Sequence, residues 1–307
     1  ESVWLGWFLI ATIKLFAPIC AAAQHPEIAV RWLRRAEELT TAIEATSWDG
    51  NWYSRAFDDQ GRPWGTATES ECKIDSIAQS WAQLSGAGHP ERIKIALASA
   101  QSHLVRADDQ IVRLLDPPFN ATPREPGYIK AYPPGIRENG GQYTHAAAWL
   151  GMAIARAGDG DGAMEIFRRI NPICQTSTPE KMRQYRIEPY VLAGDVGGSG
   201  PHLGRGGWSW YTGAAAWTWR LGVEEIMGLQ IIDGKLHINP HLPADWPEAS
   251  ATLRRPGGSL QVHIDNRDAT TTGPTIIHVD GKPWPEGGIP FPDDGRMSEV
   301  HVQLRRP

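Results

Sequence analysis

The stretch Thr212-Gly213-Ala214-Ala215-Ala216-Trp217-Thr218-Trp219-Arg220-Leu221 reads as a helix, whereas Leu229-Gln230-Ile231-Ile232-Asp233-Gly234-Lys235-Leu236-His237-Ile238-Asn239 alternates with period two. Near Gly222 the hydrophobic period therefore changes, and two kinds of structure meet there. Asp233-Gly234 sits between two apolar runs, the pair that a two-residue hairpin favours because both central residues need positive φ. Upstream of Gly222, periodicity predicts helices over residues 2–22, 26–46, 71–85, 90–105, 141–157, 161–170 and 212–221. Pro26 and Pro90 fall in first turns, where no N–H is needed. The helical segments recur in pairs. The connections 47–70, 106–140 and 171–211 far exceed the usual ~4–6 residues, and such loops commonly build a site. Downstream, 229–239 and 251–264 predict hairpins, 275–281 a third, and 300–304 a closing strand. The expected organisation is a helical domain over 1–222 and a small antiparallel β domain over 223–307.

Lys+Arg 30 against Asp+Glu 35 gives a net charge of −5 with no run of like charges. That excludes the basic stripe that a nucleic-acid partner requires. Hydrophobic content of 41% is that of a globular chain, not a disordered one. Cys20, Cys72 and Cys174 are too dispersed for a disulfide framework or a structural zinc site, so no metal is expected and a cytoplasmic setting is, with attachment of the parent to the inner membrane through upstream segments left open. Residues 3–13 are nearly all apolar, yet the run ends at Lys14, short of the ~20 residues a bilayer span needs. Glu1 stands where a secretory leader would carry positive charge, so this segment is expected to be a buried helix. The chain begins mid-pattern and is expected to be a piece of something longer.

Two loop-to-helix junctions carry most of the chemistry. Eight glycines lie from Gly194 to Gly213, ending in Tyr211-Thr212-Gly213 before a run of small residues. A hydroxyl and free N–H groups at a helix start suit an anion, although Thr212 acting simply as an N-cap reads equally well. The second junction, Arg137-Glu138-Asn139-Gly140-Gly141-Gln142-Tyr143-Thr144-His145, packs a cation, a carboxylate, an amide and an imidazole before another helix. His145 suits anion binding or proton transfer, or is a core histidine bonded to a carbonyl. Glu138, Glu188 and Asp195 are carboxylates of the type that glycan hydrolases use in pairs. Trp48-Asp49-Gly50-Asn51-Trp52-Tyr53 offers aromatic faces beside polar groups, a mixture that suits sugars and also ordinary helix packing. Asp75 and Gln79, at i and i+4, face one side of a helix, as a pocket wall or a solvated stripe.

Taken in order, Trp48–Tyr53, Gln79-Ser80-Trp81, Glu138-Asn139-Gly140-Gly141…His145, Glu188-Pro189-Tyr190 and Tyr211-Thr212-Gly213 resemble inverting glycoside phosphorylases of the cellobiose and chitobiose phosphorylase type. Glu1-Ser2-Val3-Trp4-Leu5-Gly6-Trp7, Ile74–Trp81 and Gly127-Tyr128-Ile129-Lys130…Tyr132-Pro133-Pro134-Gly135 are similar to the C-terminal phosphorylase-like domain of cyclic β-1,2-glucan synthases. The resemblance implies an all-α (α/α)6-type barrel, incomplete here with about seven of twelve helices readable, then a small antiparallel β-sandwich-like domain. It implies phosphorolysis of β-linked glucan, with inorganic phosphate as co-substrate and no other cofactor. His145, Thr212 and the Gly213 N–H would hold phosphate. Arg137, Glu138, Asn139, Trp48, Gln79, Glu188 and Tyr190 would meet sugar. The general acid of the family precedes the Glu1-Ser2-Val3-Trp4 stretch, so none is expected in this chain and the isolated chain is expected to be inactive. The expected partners are β-glucan oligosaccharide, phosphate and the upstream part of the barrel, with a homodimer of the parent left open. An inverting hydrolase using Glu138 and Asp195, or a non-catalytic glucan-binding fragment, are the alternative readings.

Overall fold

The computed structural model describes residues 1–210, 212–268, 275–285 and 287–305. The chain divides into two units, Glu1–Ala153 with Arg168–Ala215, and Ile154–Phe167 with Ala216–Pro307.

In the first unit, helix α1 (Val3–Ala22) buries Val3, Trp7, Ile10, Ile13, Ala17 and Cys20, a stripe spaced by three and four residues. Its other side leaves Leu5, Leu9, Leu15, Phe16 and Ile19 exposed, so the expected buried helix is buried on one stripe only. By length and composition α1 could cross a membrane. Here its buried stripe packs on α2 (Pro26–Thr46), where Ala17 and Cys20 meet Ala29. Gly6 permits the close approach, since a Cβ there would lie 2.7 Å from Ile43 Cδ1. Helices α3 (Ser76–Leu84) and α4 (Pro90–Leu104) follow. Helix α3 starts five residues later than residue 71. The Glu71 carboxylate instead accepts the N–H groups of Asn120, Ala121 and Thr122 at 2.9, 2.7 and 3.0 Å, and Asp75 caps the helix by accepting from Ile77 N–H.

Two-residue strands pin the long connections. They are β1 (Ala56–Phe57) on β2 (Pro63–Trp64), β3 (Ile74–Asp75), β4 (Val105–Arg106) on β5 (Ile111–Val112), β6 (Leu115–Asp116) back on β3, and β7 (Gln142–Tyr143) on β8 (Asp195–Val196). Helix α5 (Thr144–Arg156) follows β7 directly, and α6 (Gly160–Ile170) follows it. Two short helices, α7 (Pro172–Gln175) and α8 (Pro179–Tyr185), lie in the connection read as loop. Their signals were present in Asn171-Pro172 and Thr178-Pro179, where each polar side chain accepts from the first turn and proline supplies a preset φ. Tyr185, Ala193 and Val196 then bury with Ile111 beneath the glycine-rich segment.

Helix α9 (Ala214–Arg220) begins in the first unit and continues in the second, where it passes into a π-helical turn, Leu221–Ile226. Strands β9 (Leu229–Ile232) and β10 (Lys235–Ile238) form the expected hairpin, with φ +49° at Asp233 and +77° at Gly234. A five-stranded sheet contains β11 (Glu248–Arg255), β12 (Gly258–Asp265), β13 (Thr275–Val279), β14 (Lys282–Pro283) and, after the short β15 (Ile289–Pro290) beside β10, the last strand β16 (Met297–Leu304). The order is β11-β12-β16-β13-β14. The expected purely antiparallel sheet is therefore corrected: β16 inserts between β12 and β13 and runs parallel to β12. A closing strand that enters the middle of a sheet must be parallel to one neighbour when those neighbours run opposite ways. Beside the sheets, Arg156 pairs with Glu225 through three contacts of 2.6–3.0 Å. Glu225 is nearly fully buried and Arg156 is about a third exposed. Arg156→Ala strands that carboxylate, so urea unfolding should register a loss near the low end of ~3–5 kcal/mol. Arg35→Ala, which removes the solvent-facing pair with Glu38, should change stability by no more than ~1 kcal/mol.

Candidate functional site

Strand β7 delivers the chain into α5, and its partner β8 starts one residue after Gly194. Register pairs Tyr143 with Asp195 and Gln142 with Val196. Thr144, the first residue of α5, donates its N–H to Gly194 O at 3.0 Å, and Gly194 donates its own N–H to Trp208 O at 2.5 Å. A Cβ on Gly194 would lie 2.8 Å from Thr212 Cγ2 and 3.6 Å from Thr212 Oγ1. One glycine backbone thus touches both junctions picked out in the sequence, the one leading to His145 and the one carrying Thr212. Thr212 Oγ1 accepts from Ala214 N–H at 3.1 Å, so the hydroxyl does act as a cap, and an accepting hydroxyl still carries a proton to donate.

Asp195 lies under the glycine-rich segment. Its backbone O accepts from Gly207 N–H at 2.9 Å and its Oδ1 from Trp208 N–H at 3.2 Å. Burial pushes the carboxyl pKa up, against the pull of the Trp208 N–H and the Arg137 charge. Arg137 has a left-handed backbone, φ +48°, and its guanidinium carbon lies 4.6 Å from the Trp208 ring centroid and 5.6 Å from that of Tyr132. Its guanidinium donates a hydrogen bond to Tyr132 Oη at 3.4 Å. That bond, with the charges of Asp195 and Glu138, holds its pKa up. Glu138 Oε2 is buried without a hydrogen-bond partner among the described residues. Tyr143 is pushed up by burial and then by the Glu138 charge. Cation, carboxylates and aromatic faces therefore converge, as recognition of a hydroxyl-rich ring requires.

His145 is half-buried, with its ring stacked at 13° on Tyr143 (centroids 6.4 Å apart) and 4.5 Å from Trp149. Trp149 continues a row of rings through Trp81 at 5.2 Å and Trp4 at 5.9 Å to Phe8. Burial lowers the His145 pKa below its ordinary 6.5, so the imidazole is mainly neutral at pH 7 when nothing anionic lies near it.

Several other candidates are engaged in hydrogen bonds or ring packing. Gln79 is fully buried: its Oε1 accepts from Tyr53 N–H and its Nε2 donates to the Tyr53 and Asp75 carbonyls. Asn139 is likewise buried, accepting from Phe119 N–H and donating to the Phe119 and Tyr132 carbonyls. Both amides hold loop backbone in place, each donating two hydrogen bonds and accepting one, all with backbone groups. Trp48 packs edge-on to Tyr53 beneath Arg92. Glu188 accepts from Trp210 Nε1 at 3.3 Å, and Tyr190 is three-quarters exposed. Gly213 is exposed beside Thr212. Tyr211 lies outside the described residues. Sequence reasoning missed Trp208 and Tyr132 as ring partners of Arg137, and no local spacing signals that stacking. Among the described residues no group of three His, Cys, Asp or Glu side chains is disposed to hold a metal. An open groove of about 740 Å³ lies on the second unit's sheet, over His263, His278 and His301. It shares no residue with the convergence described here.

Comparison with known proteins matches residues 1–228 to the glycosyl hydrolase 94 superfamily catalytic domain. The chain is 45% identical over 275 residues to the cyclic beta-(1,2)-glucan synthase NdvB of Rhizobium meliloti (strain 1021), covering 90% of this chain and 10% of that protein. It is 31% identical over 308 residues to the 3-O-beta-D-glucopyranosyl-beta-D-glucuronide phosphorylase of Paenibacillus borealis, covering 100% of this chain and 39% of that one. The chain thus spans well under half of either relative. Among solved structures, a GH78 family rhamnosidase of Bacillus sp. GL1 shares the fold at a TM-score of 0.51 and 16% identity, over 100% of this chain and 28% of that one. The chain belongs to the glycosyl hydrolase 94 superfamily, as part of its catalytic domain together with a β-rich extension.

Proposed function

We propose that this chain is part of an inverting phosphorylase domain, its helices belonging to an (α/α)6 barrel over 1–222 followed by a β domain over 223–307. Its substrates would be a β-linked glucan, 1,2-linked as in the name of the glucan synthase relative, and inorganic phosphate. The proposed setting is cytoplasmic. The observation that carries this reading is the joint contact of both junctions with Gly194, Thr144 through its N–H and Thr212 through its side chain.

In phosphorolysis the nucleophile is already an anion. No second carboxylate is needed to activate water, and the protein must instead hold phosphate below the anomeric carbon. Thr212 Oγ1–H and the Gly213 N–H are donors beside the α9 start, and His145 would add a third. In a water-poor cleft, losing one such donor typically lowers rate by ~10²–10³. Arg137 and Glu138 form the polar edge for sugar hydroxyls, with Trp208 and Tyr132 as its flat faces. The general acid is assigned to none of the residues of this chain, which spans 39% of the glucuronide phosphorylase relative.

The burial of His145 fixes the sign of two outcomes. Its folded pKa lies below the unfolded 6.5, so the unfolded state binds the proton more tightly. The stability it contributes is complete above pH 6.5 and is lost as pH falls from there through the folded pKa. NMR titration should find the His145 midpoint below 6.5, and inorganic phosphate should raise it, because an adjacent anion favours the imidazolium. A midpoint indifferent to phosphate would sink the assignment. In the longer protein, β-1,2-glucan should yield sugar phosphate only when phosphate is supplied, and Thr212→Ala should lower that rate ~10²-fold. Phosphate-independent release of free sugar would favour the hydrolase instead.

A further inference from the structure

We infer that Asp195 is a positioning residue, a latch that holds residues 205–208 against β8 so that Thr212 stays beside the start of α5. The inference rests on the phosphate-site reading above and deepens it. Asp195 grips the segment twice in succession, through its backbone O to Gly207 N–H and its Oδ1 to Trp208 N–H. Gly207 passes so close that a Cβ there would lie 2.5 Å from both carboxylate oxygens. The grip continues on either side. Gly194 N–H donates to Trp208 O, Val196 bridges Gly206, and Gly197 N–H donates to Arg205 O at 2.8 Å. Asp195 supplies the side-chain member of this ladder. On the strand side it stands opposite Tyr143, two residues before His145. One carboxylate therefore relates the segment that ends in Thr212 to the strand that leads to His145. The Trp208 ring also stacks on Arg137, so releasing the Trp208 backbone would loosen the sugar edge together with the anion site. No carboxylate chemistry is required of Asp195. An oxygen acceptor of the same shape suffices.

Three variants of the whole chain test this: Asp195→Ala, Asp195→Asn and Gly207→Ala. Two readouts are taken, hydrogen exchange at Trp208 N–H and the apparent affinity for inorganic phosphate read from the His145 resonances. Asp195→Ala should speed Trp208 exchange and weaken phosphate binding about tenfold each, the scale of one lost hydrogen bond to a charged acceptor. Asp195→Asn keeps an oxygen acceptor and should restore both to within about threefold of wild type. Gly207→Ala should mimic Asp195→Ala with the carboxylate intact, which covers the case in which Asp195→Ala fails to fold. Unchanged Trp208 exchange in both Asp195→Ala and Gly207→Ala overturns the latch, as does an asparagine variant no better than alanine. If wild type itself shows no phosphate response at His145, the phosphate reading fails. The latch is then judged on Trp208 exchange alone.

Discussion

The site depends on one backbone constraint: Gly194 must lie within hydrogen-bond reach of the first turn of α5 while its bare α-carbon faces Thr212. A side chain at that position would collide with the threonine methyl. The constraint couples regions more than sixty residues apart in sequence, since Thr144 and Thr212 both approach the same residue. The short β7–β8 pairing exists in this context. Two residues per strand give little stability by themselves. Their effect is to fix which residue of the glycine-rich segment meets which residue of the helix start.

A second theme is how long connections are held in place. Buried polar side chains serve backbone groups rather than substrate. Glu71 gathers three N–H groups of the 120–122 turn, and Asn139 closes a ring with Phe119 and Tyr132. Gln79 does the same for Tyr53, and Arg124 stacks 3.7 Å over Trp64 while donating to Pro63 O, Asp58 and Glu69. A loop that leaves the surface must satisfy its N–H and C=O groups somewhere, and leaving one buried and unmet costs more than a made hydrogen bond returns. Family resemblance draws attention to several of these residues, and their physical role is to give the loops one shape. Near Arg137, among the described residues, Glu138 Oε2 is buried without a hydrogen-bond partner, and the Arg137 guanidinium donates to Tyr132 Oη at 3.4 Å.

Much of the fold was legible from residue order. Helix α2 and the β9–β10 hairpin were readable because Pro26 and Asp233-Gly234 act locally, through a fixed φ and through positive φ. The start of α3 was misplaced because a strand pairing and a remote turn claim residues 71–75, and neither is visible in a window of the sequence. The small helices α7 and α8 carried Asn-Pro and Thr-Pro starts inside the 171–211 segment, which was read as a connection. For the final strand, alternation gave its existence while its place between β12 and β13 had to come from pairing.

By itself the sequence determined the helical and β-rich regimes, the two chemically loaded junctions and the family, because each is written in short-range spacing or in long exact motifs. Tertiary structure decided which side chains remain available. Gln79 and Asn139 look like exposed polar side chains in one dimension and are buried and bonded to loop backbone in three. Asp195 looks like a spare carboxylate and proves to grip a neighbouring loop. The reason is physical: hydrogen-bond capacity is finite, and whether a polar group is committed or free depends on neighbours that only the folded chain brings within three ångströms.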